Sequence, residues 1–251
     1  HMSGHSKWAN IKHKKESADK RRGAVFTKLA RAITVAAREG GSDIESNFAL
    51  RLAVDKARGA NMPKDNIERA ISRGSGEGKG EQLERVLYEG YGPHGAAVLI
   101  DALTDNRKRT VAEIRHVFSR FGGSLGETGS VAWQFVRRGM ITLEAGSEDP
   151  EELALEAIDA GAVDVEVDEG IVTVLTDPAR LRAVQQALTA TGHDTSDSEL
   201  TMTPANSIEI EDRQTVSVLK LVEALEELDD VDHVWTNVSI SDAAAEAFAG
   251  A

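Results

Sequence analysis

The chain has 251 residues, of which 41% are hydrophobic, only 4% aromatic and none cysteine. At roughly 150 residues per domain this is material for more than one aliphatic core, and the lack of thiols excludes disulfide scaffolds, cysteine zinc sites and cysteine nucleophiles. The net charge of −13 is unevenly laid out: residues 1–80 hold 17 Lys+Arg against 9 Asp+Glu, residues 81–136 hold 6 against 7, and residues 137–251 hold 6 against 26. A basic first third followed by an acidic last half is the asymmetry expected when one end meets a polyanion. The longest aliphatic run, Ala96–Ile100, is far below the ~20 residues of a membrane helix, and the start has no secretory pattern. The expectation is a cytoplasmic protein without membrane partners.

After an extended polar start, a helix is predicted from Ser17 to Glu39, with Phe26, Leu29, Ile33 and Ala37 at helical spacing and Gly40-Gly41 as its stop. A second helix runs from Ser46 to Arg58, and Pro63 opens a third that buries Ile67, Ala70 and Ile71. The glycine-rich stretch Gly74–Gly80 fails the spacing of both phosphate-binding loops and is read as a flexible linker. Strands follow at Val86–Gly90 and Ala97–Leu103, then a helix at Thr110–Phe121 stopped by Gly122-Gly123, then a strand at Val131–Val136.

From Met140 to Thr203 the pattern is strand, helix, strand, strand, helix, strand, the ferredoxin-like order. The tail adds a helix, Thr215–Leu228, and a strand, Val231–Val238, which are the pieces missing from the segment before Val136. The fold class expected is α+β: an N-terminal helical bundle followed by two α+β domains, one a ferredoxin-like unit inserted into the other. The expected domains are 1–80, 81–137 together with 204–251, and the acidic stretch 138–203.

The strongest chemical signal is Gly4–Lys15 (GHSKWANIKHKK) followed by Lys20-Arg21-Arg22. Cations there neutralise phosphates, and Trp8 is placed either to stack on an unpaired base or to pack inside the fold. Arg21, Lys28, Arg31 and Arg38 share one helix face with no acid among them. A second cluster, Arg107, Lys108 and Arg109, sits at the start of a helix, where amides favour an anion, with Arg115 and Arg120 further along. The candidate nucleic-acid-binding residues are therefore His5, Lys7, Trp8, Lys12, His13, Lys14, Lys15, Lys20, Arg21, Arg22, Lys28, Arg31, Arg38, Arg107, Lys108 and Arg109.

Chemistry of other kinds has little support. Asp164, Glu166 and Asp168 alternate along one strand and offer a hard cation a row of oxygens, the basis of a metal-dependent nuclease alternative; the same alternation is the solvent face of an ordinary antiparallel strand. The histidines are scattered without metal spacing. No catalytic residues, metal or cofactor are expected.

Four segments together resemble the YebC/PmpR family: Gly4–Lys15, Tyr88–Gly95 (YEGYGPHG), Leu103–His116 (LTDNRKRTVAEIRH) and Gly122–Phe135 (GGSLGETGSVAWQF). The resemblance spans Ser3 to Ile240. It implies three domains, a helical one and two α+β, and a regulator of gene expression. One description of the family is a DNA-binding transcriptional regulator, and the other a ribosome-associated translational activator. Promoter DNA or rRNA is thus the implied partner, with a basic protein suited to the acidic domain. His94 stands where many members carry Gly.

Overall fold

The computed structural model describes residues 4–16, 22–76 and 82–250. In chain order the elements are α1 (Gly4–Glu16), α2 (Arg22–Gly40), α3 (Phe48–Gly59), α4 (Lys64–Gly74), β1 (Glu84–Tyr91), β2 (Ala97–Thr104), α5 (Arg107–Arg120), β3 (Ser124–Leu125), β4 (Phe135–Glu144), α6 (Pro150–Asp159), β5 (Asp164–Asp168), β6 (Ile171–Thr176), α7 (Leu181–Ala190), β7 (Ser198–Pro204), α8 (Asp212–Glu226), β8 (Val231–Thr236) and α9 (Asp242–Ala249). The fold is α+β with two four-stranded sheets, ordered β3-β1-β2-β8 and β5-β6-β4-β7. The chain packs into two compact units. One takes in His1–Ala24, Glu81–Val136 and Thr203–Ala251, the other Val25–Gly80 and Arg137–Met202.

In the second unit, β4-α6-β5-β6-α7-β7 is the ferredoxin-like order expected from the sequence. Val172 and Val174 of β6 and Ile141 and Leu143 of β4 meet Leu153 and Ala157 of α6 and Leu181, Val184 and Leu188 of α7. The three helices α2, α3 and α4 form their own small core around Ile33, Leu50, Val54, Met62 and Ile67. Asn47 caps α3, accepting from the Leu50 amide at 3.1 Å while its own amide donates to the carbonyls of Ala36 and Gly41. Gly74 ends α4 where a side chain would collide with α2, since a Cβ there would lie 2.4 Å from the Thr34 carbonyl oxygen. The rest of the expected linker, residues 77–80, lies outside the described residues.

In the first unit, β1 and β2 form an antiparallel hairpin in register from Glu84↔Thr104 to Tyr91↔Ala97, and β8 adds to β2 with a bulge at Asp101/Ala102. One core gathers Val98, Ile100 and Val234 from the sheet, Ile114 and Phe118 from α5, Val218, Leu219, Val222 and Leu225 from α8, Phe248 from α9 and Trp8 from α1. The tail therefore completes this sheet and its helical layer.

Three local expectations need correction. Residues 4–16 are helical rather than extended. Their buried face carries only Trp8 and Ile11 as large apolar groups, with Ser6, Lys7 and Asn10 buried beside them, so no hydrophobic period marked it. The strand expected at Val131–Val136 is a single 3-10 turn, Ala132–Gln134, leading into β4. The amides of Gly129, Val131 and Ala132 all donate to the Glu89 carboxylate and are withdrawn from any ladder. The C-terminal α9, capped by Ser241 on the Ala244 amide at 3.0 Å, was not foreseen.

Candidate nucleic-acid interface

The basic start is tied into the first unit. Trp8 is 4% exposed and meets Phe248 edge-on, with ring centroids 5.3 Å apart. Its indole N–H donates to Glu226 at 3.0 Å, and Lys12 reaches the same carboxylate oxygen at 3.2 Å. Lys7, itself buried, donates to Asp242 at 2.6 Å and lowers that carboxyl below its usual range through the hydrogen bond and the charge. Trp8 therefore offers no ring face for a base in this fold, contrary to the stacking role considered for it. The side chains of His5, His13, Lys14, Lys15 and Arg22, and the whole of Lys20 and Arg21, lie outside the described residues. On α2, Arg38 is exposed and Lys28 and Arg31 half-buried.

The α5 cluster divides. Asn106 caps the helix, its side chain accepting from the Arg109 amide at 3.0 Å, so part of the amide crown offered to an anion is already filled. Arg107 forms a two-pronged pair with Glu84 at 2.6 and 2.8 Å. Arg109 bonds Asp105 and the buried Asp230, contacts that raise its pKa above the ordinary arginine value. These two guanidinium groups hold the fold together, and neither is available as it stands. Lys108, Arg115 and Arg120 are different: all three are exposed on α5 and none has an ion pair among the described residues. Arg120 lies over the Phe121 ring, 5.5 Å from its centroid.

Beyond α5 the chain builds a loop around one carboxylate. Glu89 is 3% exposed on β1 and accepts from the amides of Gly129 at 2.5 Å, Val131 at 2.9 Å and Ala132 at 2.6 Å. Burial alone would raise its pKa, but the three amide donors outweigh burial and lower it. On the loop so fixed, Trp133 is 75% exposed, and Tyr91 is exposed beside it in the hydrogen-bond scheme. The Trp133 N–H and the Tyr91 hydroxyl both donate to the Ser130 carbonyl, at 3.1 and 3.2 Å. No apolar period singles out Trp133; the available signal is a tryptophan three residues after the polar run Gly126–Ser130.

A lowered native pKa gives Glu89 a stabilising contribution that is whole above the unfolded value of about 4.3 and fades as pH falls through the native value. Acidification through the lowered native value, beneath the ordinary glutamate range, should therefore release residues 129–132 before the sheet unfolds. Amide exchange of Gly129, Val131 and Ala132 checks this, and Glu89→Leu should remove their protection at neutral pH. Protection unchanged in Glu89→Leu would show that the carboxylate does not hold the loop.

The acidic row Asp164, Glu166 and Asp168 lies along β5 as expected, with Asp164 exposed and the other two half-buried. Its carboxylates are not among the described groups whose ligand atoms converge; the group that does is Asp101, Asp232 and His233 at the β2–β8 bulge. There Asp101 is paired with the Arg85 guanidinium, and His233 stacks on Trp235.

Comparison with known proteins decides the family. Residues 6–77 match the model described as "TACO1/YebC protein N-terminal domain", and residues 83–238 match "TACO1/YebC second and third domain". The chain belongs to the TACO1/YebC family. It is 52% identical over 239 residues to a "Probable transcriptional regulatory protein" of Thermomicrobium roseum, covering 95% of this chain and 96% of that protein. A relative of the same name from Acidithiobacillus ferrooxidans is 53% identical over 242 residues, with 96% of each chain covered. A conserved hypothetical protein of Aquifex aeolicus has a solved structure that superposes with a TM-score of 0.85 at 45% identity, covering 89% of this chain and 93% of that one.

The segments that carry the TACO1/YebC resemblance now have physical places. Tyr88–Gly95 is the end of β1 and its turn, Leu103–His116 the β2–α5 junction, and Gly122–Phe135 the edge strand with the Glu89-bound loop. His94 adopts φ 61° and ψ 25°, a left-handed conformation that glycine takes without cost. Among the described residues no helix is long and apolar enough to cross a membrane.

Proposed function

We propose that this TACO1/YebC chain is a nucleic-acid-binding regulator of gene expression, a DNA-binding transcriptional regulator that works in the cytoplasm and is not an enzyme. The observation that carries the reading is α5, on which Lys108, Arg115 and Arg120 stand exposed without carboxylate partners among the described residues. In a chain of net charge −13, unpaired cations grouped on one helix are what phosphate contact requires. The names of the relatives, transcriptional regulatory proteins, support the biological level of the reading. Further phosphate contacts that we propose are Lys14, Lys15, Lys20, Arg21 and Arg22 of the basic start and, in the second unit, Lys28, Arg31 and Arg38 of α2.

The stretch 138–203 holds 3 Lys+Arg and 15 Asp+Glu, a balance that repels phosphate. Its role in this reading is to face a basic protein partner. Phosphate contacts alone do not separate a promoter from rRNA, so the family's ribosome-associated translational role is the second outcome of the same experiment.

Reversing Lys108, Arg115 and Arg120 to Glu should weaken promoter duplex and rRNA together. It should also lower the slope of log affinity against log salt by about 3, since each phosphate contact contributes about 0.9. Titration of a labelled duplex, an rRNA fragment and whole ribosomes at matched salt reads both quantities and ranks the targets. An unchanged slope in the triple variant removes α5 from the interface. Magnesium- or manganese-dependent strand cleavage that is lost when Asp164, Glu166 and Asp168 become amides would replace this reading with the nuclease one.

A further inference from the structure

Helix α6 of the second unit is apolar on two sides. Leu153, Ala154 and Ala157 are buried and face the core of that unit. Leu155 and Ile158 are 63% and 51% exposed. Successive helical residues are about 100° apart, so Leu155 stands opposite Leu153 and Ala157. Ile158 and Glu151 lie on one side of it, and Asp159 and Glu152 on the other. The outer face of a surface helix is ordinarily polar, and packing within the unit does not require two large aliphatic groups at its centre. Val163, also exposed, follows the Gly161 turn (φ 112°) that stops the helix.

The charges around these groups identify the occupant. Glu151, Glu152 and Asp159 are exposed, and none has an ion pair among the described residues. Two of them have a local reason to be there, because Glu151 and Glu152 lie in the first turn, where the helix dipole favours acids. Asp159 has no such reason. It ends the last turn, where a carboxylate meets the negative end of the dipole and no base shares the turn. Exposed Asp164 follows it, and one guanidinium, that of Arg180, reaches the Gly161 turn. The balance stays acidic, as in the whole stretch 138–203 with its 3 Lys+Arg against 15 Asp+Glu. Such a surface repels nucleic acid, and a two-fold contact between copies through this face would set like charges against each other. A protein segment with cations for the rim and an apolar strip for the centre fits it, and an amphipathic helix carries both at the required spacing.

We propose that the outer face of α6, centred on Leu155 and Ile158 and bordered by Glu151, Glu152 and Asp159, docks a lysine- or arginine-rich amphipathic helix of a partner protein. The proposal rests on the basic-partner role given above to the stretch 138–203 and deepens it by assigning the surface and the form of the partner.

The full-length protein is titrated with labelled synthetic peptides: an amphipathic helix of Leu and Lys, its counterpart of Leu and Glu, and an oligolysine with no apolar side. Anisotropy gives the affinity and amide chemical shifts give the place. The Leu/Lys helix should bind, shift the amides of α6 and weaken as salt rises, while the other two bind far more weakly. Leu155→Gln and Ile158→Gln keep good helix propensity and should each weaken the Leu/Lys helix about tenfold, the effect of withdrawing one aliphatic side chain from a contact. Leu155→Met should keep the affinity, and Asp159→Asn should flatten the salt dependence. Undiminished binding to the double Gln variant, equal binding of oligolysine, or shifts that spare α6 would each overturn the proposal. So would self-association of the parent that the double variant abolishes, since the face would then belong to a second copy. Duplex and rRNA affinities, measured on the same variants, should not change. If the parent binds nucleic acid and not the Leu/Lys helix, the docking face falls and the nucleic-acid reading stands; if it binds the helix and no nucleic acid at low salt, that reading falls and the docking face stands.

Discussion

Trp8→Ala is expected to destabilise the first unit by about 3–5 kcal/mol, the range for deleting a buried aromatic ring, and to lower its melting temperature by roughly 10 °C. The residue closes the core between α1, α8 and α9: its ring lies against Phe248, and its N–H satisfies Glu226. Truncation leaves a cavity, removes the edge-on contact with Phe248 and takes the indole N–H away from the Glu226 carboxylate, which Lys12 also reaches at 3.2 Å. α1 should then detach, since its remaining buried contacts are largely polar: Ser6, Lys7 and Asn10. Calorimetry of Trp8→Ala and Trp8→Phe separates the terms, because Phe keeps most of the ring contact and loses the hydrogen bond. A melting temperature within a degree of the parent in Trp8→Ala would mean that α1 does not dock as described. Detachment would also free Lys7 and Lys12 from Asp242 and Glu226. A variant that is less stable and binds polyanions more tightly would then be a coherent result.

What the sequence revealed and what it hid follow from which forces leave a periodic trace. The ferredoxin-like unit was legible because its strands and helices each bury one apolar face: Ile141 and Leu143, Val172 and Val174, Leu181, Val184 and Leu188 recur at the spacing of their elements. α1 left no such trace, because its buried face is held by ion pairs and hydrogen bonds to residues more than 200 positions away. The turn at Ala132–Gln134 looked like a strand because Val131 to Val136 has strand composition, whereas its conformation is set by one glutamate 40 or so residues earlier. The same limit applies to the site. A count of cations found α5 but could not tell Lys108, which has no ion pair among the described residues, from Arg107 and Arg109, whose partners Glu84 and Asp230 are distant in sequence. Partners, not positions, decide whether a surface charge is available.

Removing Asp212–Ala251 should abolish native structure in the first unit while the second keeps its own. The tail supplies β8, which pairs with β2 from Val98↔Thr236 to Ala102↔Val231. It also supplies α8, whose Val218, Leu219, Leu221, Val222 and Leu225 are all buried. Without β8, the apolar strand β2 becomes an open edge, and without α8 the faces of Ile114 and Phe118 lose their cover. A polar tie is lost at the same time. Asp230, 2% exposed, accepts from Arg109 at 2.9 Å and from Thr110 at 2.7 Å, joining the tail to the start of α5. Losing these charge-assisted bonds is worth about 2–3 kcal/mol, and the Arg109 left behind is 42% exposed and keeps Asp105, so Asp230→Ala should act in the same direction as the truncation and to a smaller extent. Hydrogen exchange resolved along the chain is the measurement. Protection should vanish from β1, β2 and α5 in the truncated protein and persist in β4, β5, β6 and α6, whose core of Ile141, Leu143, Leu153, Val172 and Val174 contains nothing from the tail. Slow exchange surviving in β2 would show that the β1–β2–α5 segment folds alone, and that the tail is an addition to this unit and not the second half of it.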